Sequence, residues 1–270
     1  MRRRALRALA LSLLPLAASA GPTVLPFVPW EGAGGWSALW VAEDGGAFAV
    51  VSDRGAWAEG RLLRDAAGDL AGAPVDRRGT LEPGGDSEAL DRFGGGWAIG
   101  FEGNHRVEWR EALDGGVAAD LGPPPDLSAS VNAGIEALAV DPLGRIHVVS
   151  ESPAAGRFDV HRWERGAWEV AFAVPADGRY RVTGADFGPD GRLWLLERDF
   201  LLLGFRTRLR SVRPDGTDLR TDLETALARH DNLEGLAVWR GGHGLRATMV
   251  SDDNLRSIQR SEIVEYRLGD

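Results

Sequence analysis

Ile135-Glu136-Ala137-Leu138-Ala139-Val140, Asp141-Pro142-Leu143-Gly144 and Ile146-His147-Val148-Val149 form the stretch that decides the fold. An apolar run meets a turn in which Pro fixes φ and Gly tolerates φ > 0, and a second apolar run follows. This is the pattern of a β-hairpin. Phe158 to Trp163 alternates as a third strand and Trp168 to Val174 as a fourth. The pattern recurs. Gly188-Pro189-Asp190-Gly191 precedes Leu193-Trp194-Leu195-Leu196, and Glu43-Asp44-Gly45-Gly46 precedes Phe48-Ala49-Val50-Val51. The anchors Leu39, Leu90, Leu138, Phe187 and Leu236 are 51, 48, 49 and 49 residues apart. A sandwich does not explain a period of about 50 residues, and a solenoid repeat is usually shorter and needs caps. The expected fold is therefore an all-β propeller of five four-stranded blades.

The last repeat is one strand short. Ala247 to Val250 is followed only by Ile263 to Leu268. Thr23 to Val28 can supply the missing strand, so the two ends of the domain are expected to pair and close the ring, removing an exposed edge. Leu219 to Arg229 is the best helical candidate, as a short helix between blades. Gly122-Pro123-Pro124-Pro125 is a loop within the rhythm.

Met1-Arg2-Arg3-Arg4, an apolar run from Ala5 to Ala17 and Ala18-Ser19-Ala20 have the layout of a secretory signal peptide. Residues 1–20 are read as that signal and 21–270 as one domain. The run is too short for a membrane span, and no cysteine follows it to carry a lipid. A periplasmic or secreted location is expected, without disulfides. There is no lysine among the 31 basic residues. Removing Arg2, Arg3, Arg4 and Arg7 takes the formal charge from −9 to −13. So acidic a chain argues against nucleic acid or anionic lipid as partner. It suits a divalent cation. A monomer is expected.

Acids recur at two places. Glu88, Glu136, Asp186 and Glu234 stand beside the start of the first strand of a repeat, where the first repeat has Ser37 or Ala38. Asp53, Glu102, Glu151, Glu197 and Asp252 stand at the polar end of the second strand. An antiparallel hairpin brings these two places together. Two tiers of carboxylates would then surround one mouth of the central channel, where they need compensation by metal, arginine or backbone N–H. Ca2+ suits such an oxygen cage. Arg54, Arg106, Arg198 and Arg256 lie close enough in sequence to pair instead. Equally, a strand-start acid could simply bind N–H groups of the next blade. His105, beside Glu102, is a candidate proton shuttle. Asn132, Asn232 and Asn254 are ligands or loop caps. No zinc-ligand spacing, Gly-x-Ser-x-Gly elbow, phosphate loop or dinucleotide fingerprint occurs.

Asp86-Ser87-Glu88-Ala89-Leu90, Phe101-Glu102-Gly103-Asn104-His105-Arg106, Gly134-Ile135-Glu136-Ala137-Leu138, Asn232-Leu233-Glu234-Gly235-Leu236 and Ser251-Asp252-Asp253-Asn254 resemble the bacterial "esterase-like activity of phytase" family. The resemblance implies an exported propeller, and propeller phytases use Ca2+ on an acidic face to hydrolyse phosphate esters. The expected function is hydrolysis of a small anionic phosphate or carboxylic ester. Asp53, Glu88, Glu136, Asp186, Glu197, Glu234 and Asp252 would be metal ligands, and Glu102, His105 and Glu151 catalytic. Arg54, Arg106, Arg198 and Asn254 would hold substrate. The alternatives are a non-catalytic binding propeller of the cell envelope and a metal-dependent lactonase.

Overall fold

The computed structural model describes residues 21–103, 105–125, 127, 134–254 and 259–268. The expected signal peptide, Asn132 and Arg256 lie outside the described residues. Five four-stranded antiparallel sheets form five blades. Blade 1 runs from its inner strand Trp36–Val41 through Ala47–Ser52 and Ala56–Arg61 to Val75–Thr80, with a small extra hairpin of Leu63–Arg64 and Leu70–Gly72. Blade 2 has Ser87–Phe93, Gly96–Phe101, Arg106–Arg110 and the short Ala119–Asp120. Blade 3 has Ile135–Val140, Ile146–Ser150, Arg157–Glu164 and Ala167–Pro175. Blade 4 has Arg181–Phe187, Leu193–Leu201, Gly204–Val212 and Arg220–Glu224. Blade 5 has Asn232–Gly241, Gly244–Asp252 and Glu262–Arg267, and its outer strand is Thr23–Pro26.

That last pairing closes the ring as the sequence predicts. Thr23 opposes Glu265 and Pro26 opposes Glu262. Phe27 then docks at 3% exposure among Trp36, Phe48 and Ile263, between blades 5 and 1. The inner strands contact one another around the axis. Each gap between blades is filled by alternate apolar side chains from the facing sheets. Gly184 and Gly235 allow the closest approach, since a Cβ on either would strike the backbone of the next inner strand.

The helix expected over Leu219 to Arg229 is not formed. Arg220–Glu224 is instead the outer strand of blade 4, with Arg220 opposite Ser211 and Leu223 opposite Leu209. An eleven-residue helix is marginal alone, whereas the open edge of blade 4 satisfies this backbone with ladder bonds. No helix among the described residues is long and apolar enough to cross a membrane.

Candidate active site at the channel mouth

All five inner strands carry a register shift at the same place: between Trp36 and Ala38, Ser87 and Ala89, Ile135 and Ala137, Val182 and Gly184, and Leu233 and Gly235. The residue inside each shift leaves the ladder, and a bulge of this kind re-aims its side chain. Those residues are Ser37, Glu88, Glu136, Thr183 and Glu234. Ser37, Glu88, Glu136 and Glu234 line the top of the channel above Leu39, Leu90, Leu138 and Leu236, with only about 10 Å³ of space between them, while the Thr183 hydroxyl turns to the Leu233 carbonyl. The channel is thus a blind bowl with an apolar floor. Its carboxylates sit on that floor at low solvent exposure.

The second tier follows from the same register. Ser52, Phe101, Ser150, Glu197 and Ser251 oppose or adjoin the shift, and the next residues are Asp53, Glu102, Glu151, Arg198 and Asp252. Two readings from sequence are corrected here. In blade 4 the first-tier position is Thr183, not Asp186, and the second-tier position is Arg198, not Glu197. Asp186 lies at the opposite end of the channel, where it accepts the Val238 N–H of blade 5 at 2.5 Å. Asp91 does the same for Val140 at 2.6 Å. Glu197 is fully buried between Arg208 and Arg210, at 2.8 and 2.5 Å, with no oxygen left for a metal in the bowl.

A third tier carries a single carboxylate. The residue before each shift pair is Gly35, Asp86, Gly134, Arg181 or Asn232. A side chain at Gly134 would collide with Glu102, so the glycine makes room for that acid. Asp86, Glu88 and Glu102 come together, each offering an oxygen within 4.8 Å of the others. Burial, with the charges of Glu136 and Glu234 and contact with Asp86, pushes the Glu88 carboxyl well above its usual range. Burial and the charges of Asp86 and Glu151 raise Glu102. Glu136 is likewise held high by burial, then by Glu234 and Glu151. Asp53 is pushed up to about 6 by burial and then by Asp252. Asp252 is raised by burial.

Arg198 answers part of this charge. It donates to Glu234 at 2.6 Å, to Glu151 at 3.2 Å and to the Asn232 amide oxygen. Asn232 also donates to Glu234 at 2.8 Å. Even so, burial leaves Glu234 at about 7. Burial disfavours the Arg198 cation, but Glu234, Glu136 and Glu151 outweigh it and raise its pKa. On this side the bowl opens into a groove of about 850 Å³, whose lining includes Glu151, Arg179, Arg181, Arg198, Glu234 and Asn254.

The other expected residues are distributed as follows. Arg54 is exposed, 4.0 Å from Asp53. Arg106 binds Glu108 at 2.7 Å and lies 3.9 Å from the Phe101 ring centroid, so it is engaged along blade 2. His105 occupies the turn after Glu102 with φ +33°, its backbone N–H donating to the Glu102 carbonyl at 3.0 Å. Asn254 caps Asp252 through its N–H at 2.6 Å.

The model of the family described as "Phytase-like: Esterase-like activity of phytase" matches residues 31–255. The chain belongs to this family. The match covers all five inner strands, so the tiers just described are part of the phytase-like domain. The comparison with curated proteins gives no match. Among solved structures, the phytase-like chain is similar to a luciferin-regenerating enzyme at 8% identity and TM-score 0.54, over 93% of this chain and 96% of that one. It is also similar to a protein of unknown function from Bacteroides caccae (12%, TM-score 0.40, 82% and 70% covered). A chain of a nidogen/laminin complex gives 14%, TM-score 0.48, and 81% and 75% covered. At such identities the likeness concerns the fold alone, and the first of these structures carries it.

Proposed function

We propose that this phytase-like propeller is an exported hydrolase of a phosphate or carboxylic ester, working with a divalent cation at the acidic mouth. The observation that carries this reading is the Asp86, Glu88 and Glu102 cluster, three oxygen donors converging in a half-buried bowl. The donor set is all carboxylate, which suits a hard cation such as Ca2+ and not a soft one. The raised Glu88 and Glu102 carboxyls mark charge that lacks full compensation in the chain itself. Asp86, Glu88 and Glu102 would hold the ion, with Glu136 close behind. When bound, such an ion polarises an ester oxygen and activates water.

The chain's own groups have separate tasks. Glu151 lines both the bowl and the groove, where Arg198 fixes its carboxylate at 3.2 Å; it is placed to accept a proton from an incoming water. His105, next to Glu102, passes protons to solvent. Arg181 pairs with no carboxylate among the described residues and donates only to the carbonyls of Arg179 and Tyr180. It is the cation available to an anionic substrate. The apolar floor excludes water from beneath the reacting group.

The test is a thermal melt of the mature protein with Ca2+ and after chelation, followed by assays of phosphate esters, carboxylic esters and lactones. A bound ion raises the melting temperature by mass action, and Glu88→Gln with Glu102→Gln should abolish both the rise and the turnover. No Ca2+ shift and no turnover would sink the reading. One observation favours a second reading, a non-catalytic binding propeller: Arg198 already neutralises Glu151 and Glu234 without metal. Stability indifferent to chelator would put that reading first. Turnover of lactones alone would narrow the reaction to a lactonase.

A further inference from the structure

The second and third strands of blade 4 are nine residues each, against five or six for the second strands of blades 1 to 3. The extra length lies beyond Arg198, on the mouth side, so the hairpin rises roughly 10 Å above the bowl at about 3.3 Å per residue. Its tip is Phe200-Leu201-Leu202-Leu203-Gly204-Phe205, with Leu201 opposite Gly204. Leu202 and Leu203 are 98% and 80% exposed, and Phe200 is 58% exposed. Two-residue turns select Gly, Asn or Asp for backbone reasons, so Leu-Leu has no local conformational cause. Contiguous exposed apolar surface of this kind marks a contact site. Arg179 braces the tip by donating to the Phe200 carbonyl at 3.2 Å, and the Phe200 and Phe205 rings stand 5.2 Å apart.

Phe200, Leu202, Leu203 and Phe205 form one wall of the same 850 Å³ groove that Arg179 and Arg181 enter. Arg179 is paired with Asp199 at 3.7 Å and Arg198 with Glu151 and Glu234, so Arg181 is the groove arginine left without a carboxylate partner among the described residues, and the adjoining wall is apolar. We infer that the groove binds an amphiphilic anion, a phosphate or carboxylate head at Arg181 with an alkyl or acyl arm along the blade 4 tip. This names the substrate class of the hydrolase proposed above and rests on that reading for turnover. Binding itself requires no catalysis.

The experiment uses non-hydrolysable alkylphosphonates below their micellar concentrations, titrated calorimetrically into the mature protein. With each methylene about half covered, affinity gains roughly 2-fold per carbon, so octylphosphonate should bind roughly 16-fold tighter than butylphosphonate. Leu202→Ser with Leu203→Ser, at exposed positions that leave the fold intact, should remove most of that gain. Arg181→Gln should weaken both ligands by a similar factor. Affinity independent of chain length, or a gain that survives the double variant, overturns the inference. Binding to phosphatidylglycerol vesicles without binding to monomeric octylphosphonate also overturns it and assigns the tip to a lipid surface. If the phosphonates bind as expected and no ester is cleaved, the groove stands and the hydrolase reading falls. Cleavage of esters with no chain-length preference gives the reverse.

Discussion

Replacing Arg198 by Gln probes how the bowl carries its charge. Among the ten first- and second-tier residues, Arg198 is the one cation, against Glu88, Glu136, Glu234, Asp53, Glu102, Glu151 and Asp252. It reaches Glu234 and Glu151 with side-chain exposures of 21% for the arginine, 11% for Glu234 and 28% for Glu151. Breaking a fully buried pair costs about 3–5 kcal/mol. The residual solvent access here reduces that to about 2–3 kcal/mol at pH 8. The loss must depend on pH. Glu234 is raised from 4.5 to about 7 in the folded protein, so the stability it contributes by keeping its proton is full below 4.5 and is lost as pH rises through 7. Arg198 opposes that loss by favouring the ionised form. Without it, folded Glu234 titrates higher still, and the deficit grows from pH 5 to pH 8. Urea unfolding of wild type and Arg198→Gln at both pH values, with chelator present, measures this. A deficit below about 1 kcal/mol at pH 5 is expected, since the carboxyl is then neutral. Equal deficits at both pH values, or none at pH 8, would refute the account of the bowl as an arginine-compensated acid cluster.

Two further outcomes test the scaffold. Asp91 is pushed up to about 7 by burial, against the Val140 and Arg92 N–H groups that favour its charge, so wild type loses stability from this group as pH rises through 7. Asp91→Asn removes that titration, and its melting temperature should fall less between pH 5 and 8 than that of wild type; an identical pH profile would falsify the assignment. Deleting residues 21–28 takes away the strand opposite Glu262–Arg267 and the buried Phe27. The loss should be at least about 3 kcal/mol for the aromatic side chain alone, with association through the bared edge visible by light scattering; a monomeric variant with unchanged melting temperature would refute the closure.

The ring was legible because its anchors are apolar, and an apolar residue in every blade leaves a period in the sequence. The ring's closure was legible because strand counting exposes a missing edge. Blade 4 misled for a physical reason. Its first-tier residue is Thr183, in Thr183-Gly184-Ala185, which matches Glu234-Gly235-Leu236 in backbone role but not in charge. A search for repeated acids therefore slid to Asp186 and Glu197, which are real acids with structural partners. The hydroxyl of Thr183 instead ties blade 4 to the Leu233 carbonyl of blade 5 at 3.0 Å. Asp86 was visible beside Glu88, but its meeting with Glu102 depends on a bulge, and a one-residue register shift has no signature in hydrophobic pattern.

The departures from five-fold repetition are what give the mouth a direction. A ring of five equal carboxylates would centre any ion on the axis and present the same face to every ligand. Here the three converging oxygens come from Asp86, Glu88 and Glu102, all in blade 2, while blade 4 has Thr183 where three other blades have a glutamate, Arg198 where all four others have an acid, and Arg181 in the adjoining groove. The bowl therefore has its carboxylate cluster at blade 2 and its one tier arginine at blade 4, paired there with Glu234 and Glu151. In the proposed reading a cation would take the blade 2 end and an anionic head the Arg181 end, with Glu151 of blade 3 between them. For the proposed ester hydrolysis, such an asymmetry would place carboxylates beside the attacking water and arginine beside the anionic group, each aimed where charge develops. The apolar tip rises on the blade 4 side of the groove. A substrate that spans it would be oriented before its ester reaches the acids, and that orientation is what the Leu202 and Leu203 substitutions would remove.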